Sequence, residues 1–323
     1  MLKQLFTLIV AALLVACSSE PKDNASSEQK PLRVMGATVL LELLYPQGII
    51  ALWYKPYPED LEFMPKGAEN LPVLGMQWDA AFEKVVALKP DLLIFSKRTD
   101  KSMIEPYEKV GIKTLQLDSD LKDLDETLPV LGKELGVEQK AQKLLEFYHK
   151  QQENLANLRA KVTKKPRIYF AFGIEGLQSE CAGQNNIEDL AQIIGGENVV
   201  QCENFGTNQR FVPMNYEQII ALNPEAIFVR EIALYKELTS APNEQWQRVQ
   251  AIKDKKIYYA PSSPSNWLTR PPTVMRIVGY PWAFSKLHPE LLSQSKAKAL
   301  AKEFFAEFLR PISDEDYERL EGR

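Results

Sequence analysis

Four cations stand just past three short apolar runs that read as strands. Lys97 and Arg98 follow residues 92–95, Arg230 follows 226–229, and Arg270 lies in the segment after 256–260. In open α/β lobes, ligands collect beyond the carboxyl ends of the strands. Guanidinium forks match carboxylate and oxyanion geometry, so the pattern predicts an anionic ligand. Ser262, Ser263, Asn266 and Trp267 share the third segment. Taken singly, each cation is equally a solvated loop charge, and only the recurrence at strand ends singles them out.

Aromatic residues form a second group. Tyr45, Trp53, Tyr54, Tyr57 and Trp78 fall in or near a proline-rich stretch, with Lys55 among them. Such rings wall a flat or organically ligated metal complex, or they pack the loop that carries them. Histidine ligation is nearly excluded, because only His149 and His288 exist and both read as surface residues. A zinc or manganese carrier needs several imidazole or carboxylate ligands in one cleft, so no metal site of the protein's own and no cofactor are expected. Glu175, Ser179, Glu180 and Cys181 make a polar patch after a predicted strand, where a nucleophile would sit in a hydrolase. No Gly-x-Ser-x-Gly elbow, phosphate-binding glycine loop or His-Glu-x-x-His pair accompanies it. A Ser or Cys nucleophile needs a nearby base, and neither histidine falls at a strand end. A binder is therefore expected rather than an enzyme.

The beginning of the chain indicates a compartment. Met1 and Lys3 precede an apolar run from Leu5 to Ala16, too short for a membrane span and suited to a secretory signal. Leu14-Val15-Ala16-Cys17 resembles the lipobox of bacterial lipoproteins, which implies lipidation of Cys17; the alternative is an ordinary signal peptide with an incidental cysteine. Residues 1–16 are thus expected to be a signal peptide and 17–30 a polar, disordered tether. In an oxidising compartment Cys181 and Cys202 either pair or stay as two inert thiols. About 290 residues remain, enough for two domains. A net charge of −4 without a basic block argues against nucleic acid as a partner.

The elements that would position these residues alternate. Strands at 32–35, 92–95, 114–117, 168–172, 226–229 and 256–260 are separated by helices at 39–44, 80–88, 104–110, 187–194, 216–222 and 244–252. That order implies parallel β-α-β units. Residues 83–95 and 217–229 superpose without gaps, matching Glu83 with Glu217, Ala87 with Ala221, Leu88 with Leu222 and Pro90 with Pro224. Between them Val137, Ala141, Leu144, Tyr148, Leu155, Leu158 and Val162 mark one apolar helical face. The expected fold is α/β: two Rossmann-like lobes, 31–136 and 164–323, joined by a rigid helix at 137–163, with a ligand cleft between them.

The paired stretches resemble the helix–proline–strand motifs of periplasmic binding proteins that serve siderophore, haem, cobalamin and related metal importers. Leu71-Pro72-Val73-Leu74-Gly75 is similar to the lead-in of that class, and Gly195-Gly196-Glu197-Asn198-Val199 to its turn. Trp267-Leu268-Thr269-Arg270-Pro271, followed by a helix through Trp282 to His288-Pro289, is similar to its C-terminal portion. The tail around Arg270 and Trp282 looks more like the molybdate/tungstate and metal-chelate members than the cobalamin ones. The resemblance implies a substrate-binding lipoprotein at the periplasmic face of the envelope, or on the outer face of a single-membrane cell. Its partners would be an ABC permease dimer with a cytoplasmic ATPase. Its ligand would be a small metal-bearing anion, a ferric siderophore-type chelate or alternatively molybdate or tungstate. The expected ligand contacts are Lys97, Arg98, Arg230, Trp267, Arg270, Tyr45, Trp53 and Trp78. Glu83 and Glu217 match the glutamate pair that docks such carriers on the permease.

Overall fold

Short strands, with Leu92–Phe95 and Ala226–Val229 at the centre fully apolar and buried, build two parallel sheets. The structure is a computed structural model, and it describes residues 30–56, 58–75, 82–183, 189–206, 211–269 and 272–322. The expected signal peptide, the tether up to residue 29 and Cys17 lie outside the described residues, as do Tyr57, Trp78 and Arg270. In the first lobe β1 (Val34–Met35), β2 (Leu92–Phe95) and β3 (Lys113–Gln116) pair in that order, all parallel. Every residue of β1 and β2 is buried, as in strands covered on both faces. Around them lie α1 (Thr38–Leu44), α2 (Pro58–Leu61), α3 (Phe82–Ala87), α4 (Lys101–Lys109) and α5 (Leu124–Leu135).

The linking helix α6 runs over Glu138–Arg159. Its 22 residues span about 33 Å at the α-helical rise. Ala141, Leu144, Leu145, Tyr148, Gln151 and Leu155 are its buried face. It ends at Arg159, short of the expected residue 163.

The second lobe centres on β4 (Arg167–Ala171). An antiparallel pair, β5 (Gln178–Glu180) with β7 (Phe211–Pro213), stands apart from the main sheet. That sheet has the parallel order β6 (Glu197–Asn198), β4, β8 (Ala226–Val229), β9 (Ile257–Tyr259). Its helices are α7 (Leu190–Ile193), α8 (Tyr216–Leu222), α9 (Ile232–Ser240), α10 (Gln250–Lys253), α11 (Arg276–Leu287), α12 (Gln294–Phe308) and α13 (Asp314–Leu320).

The two repeated stretches fold alike: a helix, one left-handed residue, a proline and a buried strand. Lys89 (φ 49°) and Asn223 (φ 42°) are the left-handed residues, each just before its proline. Three expectations need correction. The stretch 244–252 is not one helix but a 3-10 turn at Trp246–Arg248 followed by α10. Asn243 imposes the break, accepting hydrogen bonds from the Gln245 and Trp246 amides at 3.0 Å, and Trp246 is buried. Helix α4 begins three residues early, because Asp100 caps it through the Ser102 amide. His288 is buried rather than superficial, its Nε2 2.9 Å from the Gly195 carbonyl and its ring against Phe284.

One apolar core crosses the lobe junction. It runs from Leu40 and Leu92 through Leu124, Leu144 and Tyr148 to Phe170, Trp282 and Phe304. A second tie comes from the end of the chain. Phe305 meets Phe63 at 5.6 Å, while Arg310 and Arg319 both bind the Glu62 carboxylate, at 2.7 and 2.8 Å. The lobes are thus held at α6 and again at α12–α13.

Candidate functional site

The strand ends of the first lobe are drawn tightly together. Gly36, just after β1, has φ 99°, and a side chain there would meet the Ile94 carbonyl oxygen at 2.0 Å. Only glycine allows that approach. Past β2, Ser96 Oγ donates to Asp118 Oδ1 at 2.7 Å, and the Lys97 amide donates to the same oxygen at 3.1 Å. Asp118 therefore fastens the loop after β2 to the loop after β3. Sequence reasoning missed Asp118; its only signal was an acid directly after a predicted strand.

The cations fare differently. Lys97 Nζ lies 2.5 Å from Glu126 Oε2 on α5, and that hydrogen bond holds its ammonium above the usual lysine range. Its charge is tied to its own lobe. Arg98 is exposed and forms no ion pair among the described residues. In the second lobe Arg230 is likewise exposed and free of an ion pair among the described residues. Its neighbour Glu231 is half-buried. Burial raises the Glu231 carboxyl above the ordinary range, against a hydrogen bond from the Gly173 amide and the attraction of Arg230.

The segment after β9 is a braced turn. Asn266 Oδ1 accepts from the Leu268 and Thr269 amides at 2.9 and 2.5 Å. The buried Arg276 donates to the carbonyls of Leu268 and Thr269, at 3.0 and 2.8 Å. Gly279 lets α11 sit against this turn, since a Cβ there would lie 1.7 Å from the Trp267 carbonyl oxygen. The chain entering Arg270 is thereby fixed, although Arg270 itself lies outside the described residues.

Two aromatic expectations are corrected by burial. Trp267 is fully buried: Nε1 donates to the Ser263 carbonyl at 2.9 Å, and the ring packs on Phe305 and Tyr317. It anchors the turn from behind and presents no surface to a ligand. Tyr45 is buried too, its hydroxyl accepting the Leu32 amide at 2.9 Å. Trp53 is different. It is half-buried beside the cluster around Met35 and Leu93, and its Nε1 has no hydrogen-bond partner among the described residues.

The polar patch considered for a nucleophile offers none that is reachable. Cys181 is joined to Cys202 in a disulfide, with Cα atoms 5.0 Å apart, and Ser179 is fully buried. His149 pairs with Asp125 at 2.7 Å and His288 with Gly195, so neither serves these residues as a base. Glu83 and Glu217 lie exposed in the first turns of α3 and α8.

Comparison with known proteins agrees with this architecture. The sequence pattern of the periplasmic binding protein family matches residues 49–264. The high-affinity haem uptake system protein IsdE of Staphylococcus aureus is 22% identical over 265 residues, covering 80% of this chain and 88% of that protein. An ABC transporter solute binding protein from Sulfurospirillum deleyianum superposes with a TM-score of 0.77 at 25% identity, over 90% of this chain and 94% of that one. The molybdate-bound MolA of Haemophilus influenzae shares the fold, with a TM-score of 0.69 at 17% identity over 86% and 93% of the two chains. With two parallel-sheet lobes on one linking helix and a family match across most of both, this chain belongs to the periplasmic binding protein family, the substrate-binding components of ABC importers.

Proposed function

We propose that the protein captures an anionic, metal-bearing ligand between its lobes, a ferric siderophore-type chelate, and delivers it to an inner-membrane permease dimer driven by a cytoplasmic ATPase. The observation that carries this reading is the pair Arg98 and Arg230. Each follows a central strand, one in each lobe, and each is exposed without an ion pair among the described residues. Solvated guanidinium groups past a strand end of each lobe suit a ligand whose negative charges are spread over several oxygens. Arg270 and Trp78 complete the proposed contacts, with Trp53 Nε1 as a further donor. Lys97 adds long-range charge rather than a free ammonium.

The named relatives handle haem in one case and molybdate in another, both metal-bearing anions. Molybdate or tungstate is therefore the second reading. On the same proposal the chain is anchored through a lipid on Cys17, at the periplasmic face or the outer face of a single membrane, and docks through Glu83 and Glu217.

Metal analysis and native mass spectrometry of protein purified without added ligand test this reading. The proposal predicts one equivalent of iron with the mass of an organic chelator. One equivalent of molybdenum or tungsten without organic mass would establish the second reading. Protein that stays metal-free and fails to bind ferric chelates, haem or molybdate would refute both.

A further inference from the structure

A cavity of about 300 Å³ opens beside α6, with walls from both lobes. The first lobe contributes Leu121 and Lys122, from the segment after β3; the second contributes Ile193 and the start of α11. It shares no residue with the loops that carry Lys97, Arg98 and Arg230. Its size falls at the lower end of small-molecule pockets.

Gln151 is the unexplained residue in its wall. It is 7% exposed, yet its side-chain amide has no hydrogen-bond partner among the described residues. The amide is not sealed from solvent but opens onto the cavity, where it is left to bond whatever enters. Leu155 and Arg159 follow on the same face of α6 at helical spacing, so an apolar surface and a guanidinium extend from the amide along one line.

The charged residues that line the cavity have one sign. Lys122 and Arg159 line it and form no ion pair among the described residues. Arg276, itself 7% exposed, lies with its guanidinium over the Tyr280 ring at 5.7 Å. No aspartate or glutamate is among the described residues that line the cavity. Leu155 and Ile277 supply an apolar wall. A hydrated inorganic anion gains nothing from that wall, whereas an organic acid buries its body there while its head meets the cations.

We propose that this cavity is a binding site for a small organic carboxylate. The head group lies between Arg159 and Lys122, the Gln151 amide donates to one of its oxygens, and the apolar body rests on Leu155 and Ile277. An occupant touches both lobes and α6 at once, so its binding also raises the melting temperature. The cavity has no lining residue in common with Lys97, Arg98 or Arg230, and the proposal does not rest on the importer reading.

Side-chain amide NMR of the whole folded protein tests the proposal, with the Gln151 signal assigned by its loss in Gln151→Leu. Benzoate and hexanoate are titrated against their neutral counterparts, benzamide and hexanamide. Saturable shifts of the Gln151 amide are expected for the acids, with the amides at least tenfold weaker. Arg159→Ala should weaken benzoate at least tenfold, while Arg98→Ala with Arg230→Ala leaves it unchanged. Should Gln151→Leu misfold, Gln151→Glu places a like charge in the site and is expected to abolish benzoate binding. The proposal is overturned if the Gln151 signal does not respond, if acids and amides respond alike, or if binding survives Arg159→Ala. It is overturned equally if the strand-end variants remove binding.

Discussion

Arg33 and Arg167 hold the same joint in the two lobes. Arg33 Nη2 donates to the Leu88 carbonyl at 2.8 Å, and Arg167 Nη2 donates to the Leu222 carbonyl at 2.6 Å. Their amides bind the carboxylates of Asp91 and Glu225, at 2.8 and 3.0 Å. Arg33 immediately precedes the first strand of its lobe and Arg167 opens the first strand of the other, and each fastens that strand to the left-handed turn that ends α3 or α8. Glu83 and Glu217, Leu88 and Leu222, Arg33 and Arg167 are all separated by 134 positions. The duplication therefore reaches back to the start of each lobe.

Arg33→Ala and Arg167→Ala should each lower stability by about 1–2 kcal/mol, as expected for a half-exposed charge-assisted bond to a helix-end carbonyl. Urea unfolding should show a lower midpoint at unchanged slope. Arg33→Lys should recover only part of the loss, because Arg33 also donates through Nε to the Lys89 carbonyl at 3.1 Å, which a single ammonium cannot match. An unchanged midpoint for both alanine variants would make the joint incidental.

The C-terminal tie should loosen in acid. Hydrogen bonding by the Ser313 amide, reinforced by the Arg319 guanidinium, lowers the Asp316 carboxyl to about 2. A folded-state value below the unfolded one stabilises the fold above the ordinary aspartate range, near 4, and that contribution is lost as pH falls toward 2. Tryptophan fluorescence should report the change, since Trp267 packs on Tyr317 of α13. Asp316→Asn should flatten the acid transition between pH 4 and 2; an identical transition in the variant would argue against Asp316 as its source.

Docking should depend on the two outer glutamates and ligand capture should not. An acid in a helix's first turn contributes about 0.3–1 kcal/mol through the helix dipole, so Glu83→Ala with Glu217→Ala should fold nearly as well as the wild type. Ligand affinity should stay within roughly twofold while uptake through the native transporter falls at least tenfold, as for lost interfacial charge pairs. Wild-type uptake by the double variant would return both residues to their helix ends.

Motion between the lobes should be small. The shared core across α6 and the second tie from Glu62 to Arg310 and Arg319 join the lobes at two places. Solution scattering with and without ligand should differ only by a slight tilt. A marked fall in radius of gyration on binding would show that these ties yield.

Local features were legible in the sequence and distant partnerships were not. Residues 92–95 and 226–229 could be read as strands because Pro90 and Pro224 bound compact apolar runs, and α6 because its apolar face repeats at helical spacing. Helix α5 was hidden by Pro129 in its interior. Trp267 read as a cleft aromatic because Phe305 and Tyr317, which bury it, arrive from helices far along the chain. Lys97 read as a free cation because Glu126 is 29 positions away. His288 read as superficial because its partner, the Gly195 carbonyl, is 93 positions away. Strand-end position alone could not separate Lys97 from Arg98 and Arg230, since the difference lies in a partner on another element.

The proposed capture of an anion by Arg98 and Arg230 is most directly tested by titrating a ferric siderophore-type chelate into wild type, Arg98→Ala, Arg230→Ala and the double variant, using intrinsic fluorescence. Each single variant should bind at least tenfold more weakly, a loss of about 1.4 kcal/mol. The double variant should bind more weakly still, with its urea midpoint unchanged. Wild-type affinity in the double variant, for the chelate and for molybdate alike, would contradict the account.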